Sequence, residues 1–473
     1  MSSPSTQIPL TALSSRSEPA LPEGVLVAWY GDDFTGAAAT MEVLAFAGLP
    51  AMLFLEPPSK ERLAQYPGLR GVGVASTART QPPAAMRAQL PEVFTRLADL
   101  KPGLLHYKTC STLDSSPEVG SIGCAIEIGA DLTGSRVVPA LVAAPQMRRY
   151  QAFGHLFAAH GEKVHRLDRH PVMSCHPVTP MAESDVARHI ALQSDRIDGA
   201  TLTLEALSNT RSLCSYETNE SDRISVVSLD CLDRTSEADA GRILWDGRDT
   251  NAFVVGSQGV EYALVRHWQE TGNLAAVKTP ESIGRAAGMV SVSGSVSPTT
   301  ADQIAWSREN GFACIGFDAV AACAGGDALA AEESRLVELA VAAVEGGRDP
   351  LIHTAEGPGD PAVVRLRTAV ADAQADMNMV NQGIGEALGR VLRTVLARTG
   401  LRRAVISGGD TSGHATRQLS VFALSVLAPT IPGASIFRAH ADGPMDGLEL
   451  ALKGGQMGSA DYFGWVRDGG GPR

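Results

Sequence analysis

Two adjacent carboxylates, Asp32 and Asp33, stand in Gly31-Asp32-Asp33-Phe34-Thr35-Gly36, directly after the apolar run Val25-Leu26-Val27-Ala28-Trp29-Tyr30. An apolar run of strand length that breaks at a glycine and then enters Ala37 to Leu44 predicts strand, loop and helix. At such a junction the strand end and the first free helix N–H groups face one crevice, where anionic substrates and carboxylates can meet. A lone Asp-Asp pair is most simply a capped turn. Two cations change that reading, because Arg79 and Lys108 each stand at or just beyond the end of another expected strand. Arginine grips a carboxylate through two parallel hydrogen bonds, and lysine supplies a compact charge. With Asp32 and Asp33 they predict a pocket for a polyhydroxy acid: cations for its carboxylate, carboxylates for its hydroxyls. One aspartate can then orient or deprotonate an attacking hydroxyl. Asp33, Asp32 and Lys108 are therefore the candidates for the chemical step.

A different chemistry is written in the glycine-bearing loops further on. Ser407-Gly408-Gly409-Asp410-Thr411-Ser412-Gly413 follows the expected strand Arg403 to Ile406, with a helix expected to start near His414. Glycines let backbone approach a ligand closely, and a helix start adds about 0.3–1 kcal/mol per neighbouring anion. A tight turn explains one glycine but not three together with Thr411 and Ser412. Ser293-Gly294-Ser295-Val296-Ser297 is a second such loop at a strand end, and Gly454-Gly455 a third. Neither G-x-x-x-x-G-K-[ST] nor G-x-G-x-x-G occurs, so phosphate would be held by a loop of another kind.

The elements that must position these loops alternate regularly. Strands are expected at 51–55, 71–75, 104–108, 136–142, 224–228 and 252–256, with helices at 82–100, 122–128 and 183–193. That rhythm implies a mainly parallel sheet covered on both faces. A second series runs from the strand at 289–293 through helices at 298–310, 329–344 and 384–398. The expected fold class is α/β with two domains, each a mainly parallel sheet flanked by helices, facing each other across a cleft. We place a disordered leader at 1–23, an N-terminal domain at 24–270, a linker at 271–285 and a C-terminal domain at 286–473.

Composition narrows the partners. A chain of 473 residues with 44% hydrophobic and 19% charged residues can bury a large core. Its net charge of -12 argues against general affinity for nucleic acid or an anionic membrane. No apolar run reaches the length of a membrane span. The seven cysteines are scattered without a C-x-x-C pair, which fits reduced thiols in a cytoplasmic protein. Oligomeric state is left open by the sequence, a homodimer being one possibility.

Four motifs in order resemble one family. Gly31 to Ala37, Tyr107-Lys108-Thr109-Cys110-Ser111-Thr112-Leu113-Asp114-Ser115, Ser293 to Ser297 and Ser407 to Gly413 together resemble the four-carbon acid sugar kinases, over a span from about Val25 to Trp465. The resemblance implies that 24–270 is an acid-sugar-binding domain and 286–473 a nucleotide-binding domain, and it implies ATP-dependent phosphorylation of threonate, erythronate or a 3-oxo-tetronate. It implies that Ser295, Gly408, Gly409, Asp410, Thr411 and Gly455 hold ATP, while Asp32, Asp33, Arg79 and Lys108 face the acid sugar. Mg2+ is expected with the nucleotide, its ligands unassigned. Asp410 stands where relatives often carry glutamate, Leu113 where they carry phenylalanine and Val296 where they carry cysteine. The alternative reading is a non-catalytic nucleotide or sugar-acid sensor of the same fold, which would bind ATP without consuming it.

Overall fold

The computed structural model describes residues 21–176, 178–218, 220 and 222–473. Residues 1–20 of the expected leader, and the side chain of Asp410, lie outside the described residues.

The first half carries strands β1 (Val27–Gly31), β2 (Ala51–Phe54), β3 (Gly71–Ala75), β4 (Leu104–Lys108) and β5 (Val137–Leu141). It continues through β6 (Arg149–Ala152), β7 (His155–His160), β8 (Lys163–Arg166), β9 (Ile197–Leu202), β10 (Ile224–Leu229) and β11 (Phe253–Gly256). The second half carries β12 (Val290–Ser293), β13 (Phe312–Gly316), β14 (Asp349–His353), β15 (Arg403–Ser407), β16 (Val421–Ala428), β17 (Ile436–Ala441) and β18 (Glu449–Lys453). Strands such as β1, β3, β4 and β15 are buried along their whole length. Helices cover both faces, which is why these strands read as continuous apolar runs rather than alternating ones. Gly73 on β3 is glycine for a packing reason: a Cβ there would meet Trp29 Cε2 at 2.0 Å.

Both series join a single 15-stranded sheet, in the order β13-β14-β12-β15-β18-β17-β16-β2-β3-β1-β4-β11-β5-β10-β9. The two parallel blocks are thus not separate sheets. They meet through an antiparallel seam, in which β18 pairs β17, β17 pairs β16 and β16 pairs β2. Three antiparallel steps make the strands of one block run opposite to those of the other. Six steps separate β15 from β1, and at roughly 20–25° of twist per step the accumulated rotation of about 120–150° turns the opposed directions back toward one another. The helices Phe34–Phe46 and Gly409–Gln418, which follow β1 and β15, accordingly pack together.

The seam is short on the β2 side, where only Leu53↔Leu424 and Phe54↔Ala423 are in register. It is reinforced by Glu42, whose buried carboxylate accepts from Gly433 N at 2.8 Å and Ser435 N at 3.0 Å. Arg62 adds a two-pronged contact to Asp442 at 2.6 and 3.0 Å.

A separate antiparallel sheet, β6-β7-β8, fills the stretch after β5. Its first turn is fixed by buried Asp230, which accepts from Phe153 N at 2.6 Å, Gly154 N at 2.9 Å and Leu204 N at 3.1 Å.

Candidate active site

In the first half, three strand ends are tied together by backbone. Asp32 N donates to Lys108 O at 2.9 Å, and Arg79 N donates to Asp32 O at 3.0 Å. This binds the ends of β1 and β4 to the turn after β3, so four residues distant in sequence share one floor. Asp33 is the N-cap of the helix Phe34–Phe46 and accepts from Gly36 N at 3.2 Å on both oxygens. Its Oδ2 also takes the Thr35 hydroxyl at 3.1 Å. Lys108 Nζ donates to Asp33 Oδ1 at 3.3 Å, and Arg79 Nη2 contacts the same oxygen. Arg79 further lies 3.7 Å from Asp32 Oδ1 and 3.5 Å from Asp114 Oδ2. Gly36 leaves room for this cluster, because a Cβ there would fall 1.7 Å from Lys108 Nζ and push the amine aside.

Exposure separates floor from rim. The side chains of Asp32 and Lys108 are 3% and 2% exposed, those of Asp33 and Arg79 22% and 25%. The two aspartates consequently titrate apart. Burial pushes Asp32 up to about 7 against the pull of Arg79 and Lys108, and the neighbouring Asp33 and Asp114 add to the rise. For Asp33 burial acts in the same direction, but Lys108, Arg79 and the Gly36 amide outweigh it and hold the carboxyl well below the usual range. Asp32 Oδ1 is buried and accepts no hydrogen bond. The arrangement is one ionised carboxylate that clamps two cations, and beside it a second carboxylate with a lone pair to spare.

In the second half, the helix Gly409–Gln418 begins directly after β15, not near His414 as the sequence reading expected. Two glycines in a row had read as loop. Instead Gly408 takes φ 128° and turns the chain straight into the helix, itself offering no side chain as a cap. Three of the expected loops touch. A Cβ at Gly294 would meet Thr411 Oγ1 at 2.2 Å, and one at Gly455 would meet Ser295 Oγ at 2.2 Å. Gly455 O accepts from Ser297 Oγ at 2.5 Å and Thr300 Oγ1 at 2.8 Å, and Thr300 Oγ1 donates to Ser295 Oγ at 3.0 Å. Ser295, Gly408, Thr411 and Gly455 thus pack together at the ends of β12, β15 and β18, with the helix start carrying Gly409 and Asp410 beside them.

The two groups are brought near each other by Gly433. A Cβ on it would lie 3.4 Å from Thr35 O and 3.7 Å from Met457 Cε, so it separates the residue after Asp33–Phe34 from the loop that holds Gly455. Three residues escaped the sequence reading. Asp114 completes the charge cluster, and its signal was the Thr112-Leu113-Asp114 string after β4. Glu42 had no local signal, since its partners lie 391 and 393 positions away. Lys453 ends β18 just before Gly454, as Lys108 ends β4 just before Thr109; a lysine closing an apolar strand was the available cue.

A family profile described as "Sugar-binding N-terminal domain" matches residues 27–264, and one described as "Nucleotide-binding C-terminal domain" matches residues 290–463. The chain is 42% identical over 456 residues to 3-oxo-isoapionate kinase of Paraburkholderia graminis, covering 95% of this chain and 96% of that one. It is 26% identical over 445 residues to 3-oxo-tetronate kinase of Pseudomonas savastanoi pv. phaseolicola, covering 93% and 96%. A crystal structure described as a putative tRNA synthase from Salmonella typhimurium LT2 shares the fold, with a TM-score of 0.73 at 24% identity over 93% of this chain and 98% of that one.

Proposed function

Because the chain belongs to the four-carbon acid sugar kinase family, we propose that it transfers the γ-phosphoryl group of ATP to a terminal hydroxyl of a 3-oxo sugar acid. That it is an ATP-dependent kinase follows from its relatives; the proposal adds the acceptor and the residue roles. The observation that carries it is the convergence of Asp32, Asp33, Arg79, Lys108 and Asp114 at the ends of neighbouring parallel strands. Both named relatives carry a 3-oxo acid in their names, and the more similar of the two points to 3-oxo-isoapionate as the first acceptor to try.

In this reading Arg79, on the rim, meets the acid's carboxylate, and Lys108 meets an oxygen deeper in the pocket. Asp33 holds both cations in place. Asp32 accepts the proton of the attacking hydroxyl, because its free oxygen and near-neutral titration suit a general base at working pH. The hydroxyl oxygen forms a bond to the γ-phosphorus as the bond to the β-phosphate oxygen breaks, leaving ADP and a protonated Asp32. ATP is held by Ser295, the bare amides of Gly408 to Thr411, and Gly455.

Mg2+ fits as a passenger on the polyphosphate. Among the described residues no group of three or more His, Cys, Asp and Glu side chains could hold a metal by itself. Mg2+ keeps several waters and needs few protein ligands beside phosphate oxygens, whose charge it would neutralise.

An ADP-release assay over 3-oxo-isoapionate, 3-oxo-tetronate, threonate and erythronate tests the reading. Turnover is expected to be fastest with a 3-oxo acid. Folded protein that releases no ADP with any of the four would defeat the proposed acceptor class.

A further inference from the structure

Four neighbouring strands of the second half end in one polar row. Lys453 on β18 is in register with Ser407 on β15, Ser407 with Ser293 on β12, and Ser293 with His353 on β14. Residues in register on adjacent parallel strands share a face of the sheet. All four are buried, and Ser407 Oγ and His353 Nδ1 have no hydrogen-bond partner. Lys453 is the charged member, 0% exposed. Its amine donates to Gly454 O at 3.3 Å and stands 5.8 and 5.9 Å from the rings of Tyr462 and Phe463.

Among the described residues no carboxylate comes within ion-pair reach of that amine. Among the described residues, the ionisable groups named next on the packed elements are engaged elsewhere. The Tyr462 phenol donates to Ala434 O, Asp461 is bound by Ser459 and Arg473, and Glu42 is held by Gly433 and Ser435. Arg403 pairs with Glu449 at the far end of β15, and His353 lies 3.6 Å from Glu356. A buried ammonium without a counter-charge is costly. An apolar residue would pack there more cheaply, unless an anion from outside the chain completes the site.

The backbone of Lys453 belongs to the junction where such an anion would arrive. Its carbonyl accepts from Gly408 N at 2.9 Å, directly at the helix start. Two residues on, Gly455 packs against Ser295. We propose that Lys453 is the cation of the nucleotide site, pairing with the polyphosphate where the Gly408–Gly409 helix start and the Ser295 loop meet it. The inference rests on the reading of this half as the ATP site and adds its charge partner.

Burial pushes the Lys453 amine down to about 7. At about pH 8 it is therefore mostly neutral in the free protein, and pairing with an anion draws a proton onto it. A lysine that merely props the Gly454 loop would show no such coupling. Calorimetric titration of ADP at about pH 8, in buffers of different ionisation enthalpy, reads it directly. The wild-type protein should take up close to one proton per ADP. Lys453→Met, nearly isosteric and uncharged, should abolish the uptake and weaken ADP by about ten- to a hundredfold. The wild-type measurement decides alone if the variant does not fold. ADP binding without proton uptake by the wild type, or ADP binding by the variant with wild-type affinity or uptake, overturns the role of Lys453 and leaves the nucleotide site standing. Wild-type protein that binds no ADP overturns both.

Discussion

At the end of β1, Asp33 caps the following helix with its own carboxylate and pairs with the lysine of the neighbouring strand. At the end of β15, Gly408, which has no side chain, begins the following helix, and among the described residues no carboxylate pairs with the lysine of the neighbouring strand. The backbone plan is the same twice: parallel strand, tight turn, helix, and a buried lysine ending the adjacent strand, Lys108 on β4 or Lys453 on β18. Among the described residues, what differs is the acid beside that lysine. The first junction is electrostatically complete within the chain, so it can sort ligands by where their hydroxyls and carboxylate fall. The second leaves its positive ends for an anion to satisfy, which suits a ligand recognised by charge. Sign and occupancy of charge at a shared geometry thus separate an acid-sugar pocket from a phosphate pocket.

Removing a carboxylate from the first junction should break this contrast most severely. Asp32→Asn is expected to lower kcat by about a hundred- to ten-thousandfold while ADP affinity, measured by calorimetry, stays at the wild-type value. If ADP affinity fell equally, the halves would not divide the work as argued. Gly36→Ala should come next. Its Cβ would displace the Lys108 amine, and we expect kcat/KM for the sugar acid to drop about ten- to a hundredfold, with ADP binding again unchanged.

The seam between the halves offers a smaller effect, on stability. Glu42→Ala removes an acceptor shared by two buried amides and should cost about 1–3 kcal/mol in denaturant unfolding, without altering ADP affinity. The finest test is pH. Asp32 and Glu42 both titrate at about 7 in the folded protein, burial being the main cause, against about 4 in an unfolded chain. Between those values the folded state binds more protons. Their contribution is therefore fully present below about pH 4 and is lost as pH rises through about 7. Glu42→Gln should flatten that part of the stability curve. In kinetics, kcat/KM should rise through an acid limb near the Asp32 value. Asp33→Asn should move the limb to lower pH, since a repelling charge is removed.

The local signals in this sequence were good to the ends of strands. Asp32, Asp33, Arg79 and Lys108 were each legible as strand-end residues, and the parallel alternation around them implied that they would meet. Ser295, Thr411 and Gly455 were legible as members of glycine loops for the same reason. What stayed hidden depends on partners far along the chain. Glu42 reads as one more helix residue until the amides of Gly433 and Ser435 arrive. Lys453 reads as a surface lysine until burial strips it of water. The antiparallel seam was missed because β16 and β17 carry no period that distinguishes them from parallel strands. The helix start at Gly409 was missed because glycine pairs ordinarily mark loops, whereas here Gly408 takes a positive φ and opens the helix directly.

The joint between β2 and β16 has a consequence for anyone who divides this protein. Cut between the two profiles, each piece would carry a raw border of unsatisfied main-chain groups, β2 on one and β16 on the other. Such fragments would stick to themselves or to each other, and co-expressing them would be the way to keep both in solution.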